Sequence, residues 1–228
     1  MITVVLTSCG RLDLLKRALE SFYKFNTAIS EISEFIIVDD SGNKDVHNEL
    51  RRLYSNYTLI LEPVNRGQIV CIDDAYSRVK TSYIFHTEDD FEFCKYGFIE
   101  DSMAILEQND KILNVWLLGL KNTNGHPVED GIYKAGNIEY RLLRTHFASS
   151  VGNLEWHGFS LTPSLRRFSD YKLVASFSNI VKDYPRHQFR IFECLIGEAY
   201  FKMNYRGAIL IEPYLFHTGS GRSTQGAS

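Results

Sequence analysis

Tyr83-Ile84-Phe85-His86-Thr87-Glu88-Asp89-Asp90-Phe91 is an apolar, β-prone run that stops at three consecutive carboxylates. Carboxylates this close repel one another, and a fold gains little from stacking them at a strand end. A divalent cation resolves the repulsion. Mg²⁺ and Mn²⁺ prefer oxygen ligands, and Mg²⁺ commonly takes one or two carboxylates together with substrate phosphates. The stretch reads either as a metal–diphosphate site at the carboxyl end of a central strand or as an acidic turn without a ligand. These nine residues alone do not choose.

Stretches on the N-terminal side repeat the form. Ile2 to Leu6 is a compact β-branched run, as in a buried parallel strand, and Thr7-Ser8-Cys9-Gly10-Arg11 is a small-residue turn. Leu12, Leu14, Leu15, Ala18, Leu19 and Phe22 then recur at helical spacing, predicting a helix from Arg11 or Leu12 to about Tyr23. Strand, small turn and helix open a nucleotide-binding α/β unit whose turn offers backbone N–H groups. Glu34-Phe35-Ile36-Ile37-Val38-Asp39-Asp40-Ser41-Gly42 is a second buried strand ending in two acids. Asp-Ser-Gly serves turns and helix caps, and a strand-end Asp also suits a base or ribose. A helix over about Lys44–Tyr54, a strand Thr58–Leu61, a loop Pro63-Val64-Asn65-Arg66-Gly67 and a helix over about Gln68–Lys80 follow. Arg66 stands at the approach to that last helix, as an anion ligand or an ordinary surface arginine.

The alternation of strand and helix up to residue 90 argues for an α/β fold with a largely parallel sheet. Ligands of such sheets bind at the carboxyl ends of the strands, where Thr7–Arg11, Asp39-Asp40 and Glu88–Asp90 all fall. Beyond them the pattern predicts a short helix over Phe98–Glu107 and a strand over Ile112–Leu120. Lys121 to Asn153 is irregular, punctuated by Gly125, Pro127, Gly131 and Gly136, and reads as loops with a short antiparallel excursion. In Glu155-Trp156-His157-Gly158, Trp156 and His157 either wall a sugar-sized pocket or, for Trp156, pack a core corner. Thr162 reads as the cap of a helix with Pro163 at its first position, running to about Asp170.

A last helix is expected over about Gln188–Asn204, with Phe192, Leu195, Ile196, Ala199 and Met203 as its apolar stripe. At ~100° per residue, Glu193 lies at the stripe's boundary, able to face a cleft, and Glu198 on the solvent side. A short strand over Ala208–Ile211 leads to the polar tail Phe216-His217-Thr218-Gly219-Ser220-Gly221-Arg222, read as mobile until a ligand orders it.

Composition sets outer bounds. The 228 residues suffice for one large domain or two small ones, and 44% hydrophobic residues supply a core. With no repeat and no linker, a single domain over 1–228 is expected, with 1–120 as a nucleotide-sugar half and 121–228 as an acceptor half and tail. A net charge of −3 gives no support for nucleic-acid binding. Cys9, Cys71, Cys94 and Cys194 have no metal-type spacing and read as free thiols of a reducing compartment. No apolar run reaches the roughly 18 residues of a spanning helix, and the N-terminus lacks signal-peptide features. The expectation is a cytoplasmic protein with room for peripheral membrane contact. P-loop, dinucleotide and G-x-S-x-G motifs are absent, which disfavours those enzyme classes.

In order and spacing, Val4–Arg11, Ile36–Gly42, Asn65-Arg66-Gly67, Glu88-Asp89-Asp90, Glu193, Asn204–Gly207 and His217 resemble a GT-A glycosyltransferase close to family 2. The resemblance implies a Rossmann-like three-layer α/β sandwich and a hexosyltransferase that uses Mn²⁺ or Mg²⁺. Its donor would be a nucleoside-diphosphate sugar and its acceptor a hydroxyl of a glycan or glycoconjugate. Thr7, Arg11, Asp39 and Arg66 would hold the nucleotide. Asp90 and His217 would hold the metal, Glu88 would lie near ribose or metal-bound water, and Asp89 could orient the donor sugar. Glu193 falls where the family places its catalytic base, though Phe192-Glu193-Cys194 departs from the family's frequent Glu-Asp. Two other readings stand beside it, a non-catalytic sugar-nucleotide-binding module and a nucleotidylyltransferase. The second has poor support, because only Cys9-Gly10-Arg11 stands in for its glycine-rich loop.

Overall fold

A computed structural model of the chain describes residues 1–123, 125–148, 154–174, 176–185 and 189–219. Its first half is built from β1 (Ile2–Ser8), α1 (Leu12–Phe25), β2 (Ile32–Asp39), α2 (Lys44–Leu53), β3 (Thr58–Leu61), α3 (Gln68–Tyr76), β4 (Tyr83–Glu88), β5 (Phe91–Phe93) and α4 (Phe98–Gln108). The second half adds β6 (Ile112–Trp116), β7 (Tyr133–Ala135), β8 (Ile138–Leu142), β9 (Phe147–Ala148), β10 (Glu155–Trp156) and β11 (Ser164–Arg167). It ends with α5 (Phe168–Val174), α6 (Phe177–Val181), α7 (Phe189–Phe201), β12 (Arg206–Leu210) and β13 (Leu215–His217).

The central sheet has the order β11-β4-β1-β2-β3. β1 to β4 run parallel, and only β11 is antiparallel. Residues alternate between sheet faces with period two. Ile2, Val4, Leu6, Phe35, Ile37 and Phe85 meet Leu15, Leu19 and Phe22 of α1, Leu50 of α2 and Phe98 of α4. Val5, Ile36, Val38 and Ile84 meet Ile69, Ile72 and Tyr76 of α3, Phe177 of α6 and Ile196 and Tyr200 of α7. A parallel sheet is thus covered on both faces, the three-layer arrangement the pattern calls for.

Local chemistry sets the element ends. The Asn43 side chain accepts from the backbone of Asp45 and Val46 and caps α2. Gly10 sits at φ +75°, a left-handed turn that lets β1 give way to α1 without side-chain strain. β6, β12, β8 and β7 form a second sheet, and β5 pairs with β13. Among the described residues, no helix is long and apolar enough to cross a membrane. None of the four cysteines forms a disulfide; Cys71 and Cys194 are buried and Cys9 and Cys94 half-buried.

Three readings differ from the structure: β6 stops at Trp116 rather than Leu120, Phe216 and His217 belong to β13 rather than to a mobile tail, and Thr162 starts no helix. Ser164–Arg167 is a strand, pairing Ser164 with His86 and Arg167 with Tyr83. The helix expected from Thr162 does not form there, and the Thr162 hydroxyl caps nothing. Strand pairing wins because it closes the β4 edge of the sheet. Arg167 also donates to the carbonyls of Leu106, Asp110 and Ile112, tying β11 to the start of β6. The helix begins only at Phe168.

Candidate active site

Asp39 and Asp40 close β2, and their oxygens are engaged inside the protein. Asp39 is fully buried; it accepts from the N–H of Gly10 (2.8 Å) and of Ser41 (3.1 Å), from the Ser41 hydroxyl, and lies 3.1 Å from His47 Nε2. Asp40 accepts from the N–H of Arg66 and of Gly67, one on each oxygen. Backbone donors at both oxygens stabilise a buried carboxylate without any added cation. The pair ties three loop segments to one strand end. A nucleotide contact from Asp39 would have to displace one of these bonds.

The β4 end is built differently. Glu88 is the last strand residue and accepts from the Gln68 side-chain amide. Burial pushes its carboxyl well above the usual carboxylate range, and the charges of Asp90, Asp89 and Glu193 push it further. Asp89 is 1% exposed and accepts from Ser8 Oγ (2.8 Å) and Arg11 Nε (3.0 Å). Burial outweighs these donors and raises it to about 6. Asp90 accepts from Arg11 Nη1 at 2.9 Å and lies 3.5 Å from His217 Nε2. One guanidinium therefore bridges two of three crowded acids, and the cluster keeps an excess of negative charge. A carboxylate-rich set with one imidazole at its edge suits a hard divalent cation. Asp90 and His217 fit as its ligands.

The tail reaches this cluster through strand pairing. β13 runs antiparallel to β5, placing His217 opposite Phe91, next to Asp90. The Thr218 N–H donates to the Asp90 carbonyl at 2.7 Å. A side chain at Gly219 would meet Asp90 Oδ2 at 2.5 Å, so only glycine lets the chain lie this close. The tail from Ser220 onward lies outside the described residues.

Glu193 reaches the same region from α7. Its Oε1 accepts from Ser160 Oγ and from the Leu161 N–H, each at 2.8 Å. Its charge is felt at Glu88, so the structure brings the sequence-selected base candidate to the acidic cluster. Thr7 stands beside it, opposite Glu88 in the β1–β4 register, and its carbonyl accepts from the Asp89 N–H. The other sequence candidates lie apart. Arg66 is paired with Glu62 and Asp74 on the surface. Trp156 is 2% exposed and donates its indole N–H to the Phe159 carbonyl, so it is a core residue and walls no open pocket. His157 stacks flat on Phe201, with ring centres 4.3 Å apart. Burial, followed by the charge of His146, lowers its pKa.

Sequence reasoning missed Ser8, Gln68 and Ser160, which orient Asp89, Glu88 and Glu193. Ser8 was within reach, being next to Thr7 in the quoted turn. Ser160 carries no local signal, because its partner stands 33 residues away.

The description "Glycosyl transferase family 2" matches residues 3–172, which includes the acidic cluster and stops before Glu193 and His217. No curated protein sequence matches. Among solved structures, the chain is similar to a mannosyltransferase, PcManGT from Pyrobaculum calidifontis, in complex with GDP-Man and Mn²⁺. The TM-score is 0.59 at 14% identity, covering 93% of this chain and 54% of that one. It is also similar to S. aureus TarS 1-349 (TM-score 0.57, 16% identity, 96% and 60% covered) and to the same protein in complex with UDP (0.54, 15%, 94% and 59%). The chain thus spans a little over half of these solved chains and 36% of a longer S. aureus TarS structure. With its three-layer fold and with well over half of its residues matched, the chain belongs to glycosyl transferase family 2.

Proposed function

We propose that the protein is a metal-dependent, inverting glycosyltransferase that moves a sugar from a nucleoside-diphosphate sugar to a hydroxyl of a glycan or glycoconjugate. The observation that carries this reading is the meeting of two sets of acids. Glu88–Asp90 holds excess negative charge beside Arg11 and His217, and Glu193 approaches from a different element. The neighbours solved with GDP-Man and Mn²⁺ and with UDP support the donor class and a divalent metal.

In this reading Asp90 and His217 hold Mn²⁺ or Mg²⁺, which when bound supplies positive charge for the departing diphosphate. Asp89, locked between Ser8 and Arg11, keeps the guanidinium at the cluster and orients the donor sugar. Arg11 then offers the diphosphate a cation on a turn that backbone bonds to Asp39 make rigid. Thr7 lies at the nucleotide's edge of the cleft. Glu193, oriented by Ser160 and Leu161, takes the proton of the acceptor hydroxyl. The hydroxyl oxygen bonds to the anomeric carbon as the bond from that carbon to the diphosphate oxygen breaks. Attack opposite the leaving group inverts the centre. Four cysteines outside any disulfide suit a reducing, cytoplasmic setting.

The test is nucleoside-diphosphate release from UDP-, GDP- and dTDP-sugars with Mn²⁺, with and without glycan acceptors, followed by NMR of the product's anomeric configuration. One active donor and an inverted product support the reading. Release from none of them, or a retained configuration, contradicts it.

A further inference from the structure

The β9–β10 ribbon holds a second group of metal-type donors that the glycosyl-transfer reading does not use. Its register pairs Glu155 with Ala148 and Trp156 with Phe147, so His146 and His157 come opposite each other at the next step. The period of two puts Glu155 and His157 on one face and sends Trp156 into the core. Opposed residues share a face, so His146 joins them. One ligand atom from each of His146, Glu155 and His157 lies within 4.8 Å of the others. Glu155 Oε2 is bonded to His146 Nδ1 and is 3.9 Å from His157 Nε2.

Two further observations separate this group from a chance surface cluster. Phe201, at the end of α7, backs both imidazoles. The His157 ring lies parallel to it, and the His146 ring stands edge-on with centres 4.9 Å apart. The rings are thus fixed in direction before any ligand arrives. His146 also has φ +57°, a left-handed conformation uncommon outside glycine, although histidine is among the side chains that adopt it most readily. Strain of this kind persists where surrounding structure holds it, often at ligand sites.

We propose that His146, Glu155 and His157 bind a zinc-type divalent cation, and that the ion fastens β9 to β10 where the ribbon packs on Phe201 of α7. Two imidazoles and one carboxylate are a zinc donor set with an open position, each ligand about 2.0–2.2 Å from the ion. Imidazole also selects against Mg²⁺ and Ca²⁺, which prefer oxygen. The site is separate from the acidic cluster, because Phe201 follows Glu193 by about two helical turns, or ~12 Å along α7. It does not depend on the proposed transferase activity.

The experiment strips the protein with EDTA and titrates it with Co²⁺ by visible absorption, and with Zn²⁺ by calorimetry, in excess Mg²⁺ to occupy carboxylate sites. The wild type is expected to take up one equivalent and to develop the d–d bands of a four- or five-coordinate cobalt site. His146→Asn keeps a residue that tolerates positive φ and removes the imidazole. It should weaken binding by more than about 100-fold, because loss of an outer hydrogen-bonding partner alone costs about 10–100-fold. Glu155→Gln, at an exposed position, should weaken it as well, while Asp90→Asn should leave it unchanged. No uptake in Mg²⁺, uptake that survives both His146→Asn and Glu155→Gln, or uptake lost in Asp90→Asn would each overturn the proposal.

Discussion

The carboxyl ends of β2 and β4 carry the same sequence signature, an apolar run closed by acids, and end in opposite chemistry. At β2 every carboxylate oxygen of Asp39 and Asp40 accepts a backbone N–H. At β4 three acids share one arginine, one histidine, one serine and one glutamine. Acid clusters at strand ends are therefore not equivalent. Where the backbone supplies donors they act as clamps, and where it does not they retain charge that an external cation can neutralise.

The contrast is broken most directly by exchanging the consequences of equivalent substitutions. Glu193→Gln should lower the transfer rate by about 10²–10⁴-fold, the usual contribution of a general base. Nucleotide-induced thermal stabilisation should be unchanged if Glu193 acts on the acceptor, as proposed. Equal loss of nucleotide binding would assign Glu193 to the donor site. Asp39→Asn should act on folding instead, costing about 2–3 kcal/mol through lost bonds to a buried charge. Chemical denaturation would measure this, and a variant as stable as the wild type would remove the clamp.

A third expectation sharpens the contrast through pH. Asp89 sits at about 6 in the fold, against an ordinary 3.8, and Glu88 is raised in the same direction. An acid raised by folding is disfavoured once ionised, so its cost is absent below about pH 4 and fully present above about pH 6. The metal-free protein should lose a few degrees of melting temperature to this cluster between pH 5 and 7.5, since 1 kcal/mol is worth about 2–4 °C at this size. Mn²⁺ should restore more stability at pH 7.5 than at pH 5. Scanning fluorimetry across this range, in EDTA and in Mn²⁺, would show the reverse order if the cluster were neutralised internally. The smallest effect belongs to Arg66→Met, under about 1 kcal/mol, because an exposed ion pair contributes little. A tenfold rise in donor KM for that variant would return Arg66 to the nucleotide, as the sequence reading has it.

Much of this architecture is legible in the sequence because the central strands are buried on both faces. Ile2–Leu6, broken by Thr3 alone, and Phe35–Val38 are apolar runs, and Leu15, Leu19 and Phe22 keep the helical period of α1. The same reading could not separate the two acidic ends. The donors that satisfy Asp40 belong to Arg66 and Gly67, whose position depends on how the loop returns to the sheet. It took Ser164–Arg167 for a helix because Thr162-Pro163 is a good local start signal, whereas pairing with β4 is a tertiary fact. Glu193 was selected from helix geometry and family resemblance, while the bonds from Ser160 and Leu161 that aim it come from another part of the chain.

The most direct test is a thermal-shift comparison of the wild type, Asp90→Asn and Asp40→Asn with UDP, GDP and dTDP, each in Mn²⁺ and in EDTA. A site filled at a hundredfold excess over its Kd stabilises by about 2.7 kcal/mol, well within detection. The account predicts a shift for one nucleotide in the wild type, abolished by EDTA and by Asp90→Asn. In Asp40→Asn the shift should survive on a lower starting melting temperature. No shift with any nucleotide, or one that persists through both EDTA and Asp90→Asn, would contradict it and make the β4 acids an ordinary turn.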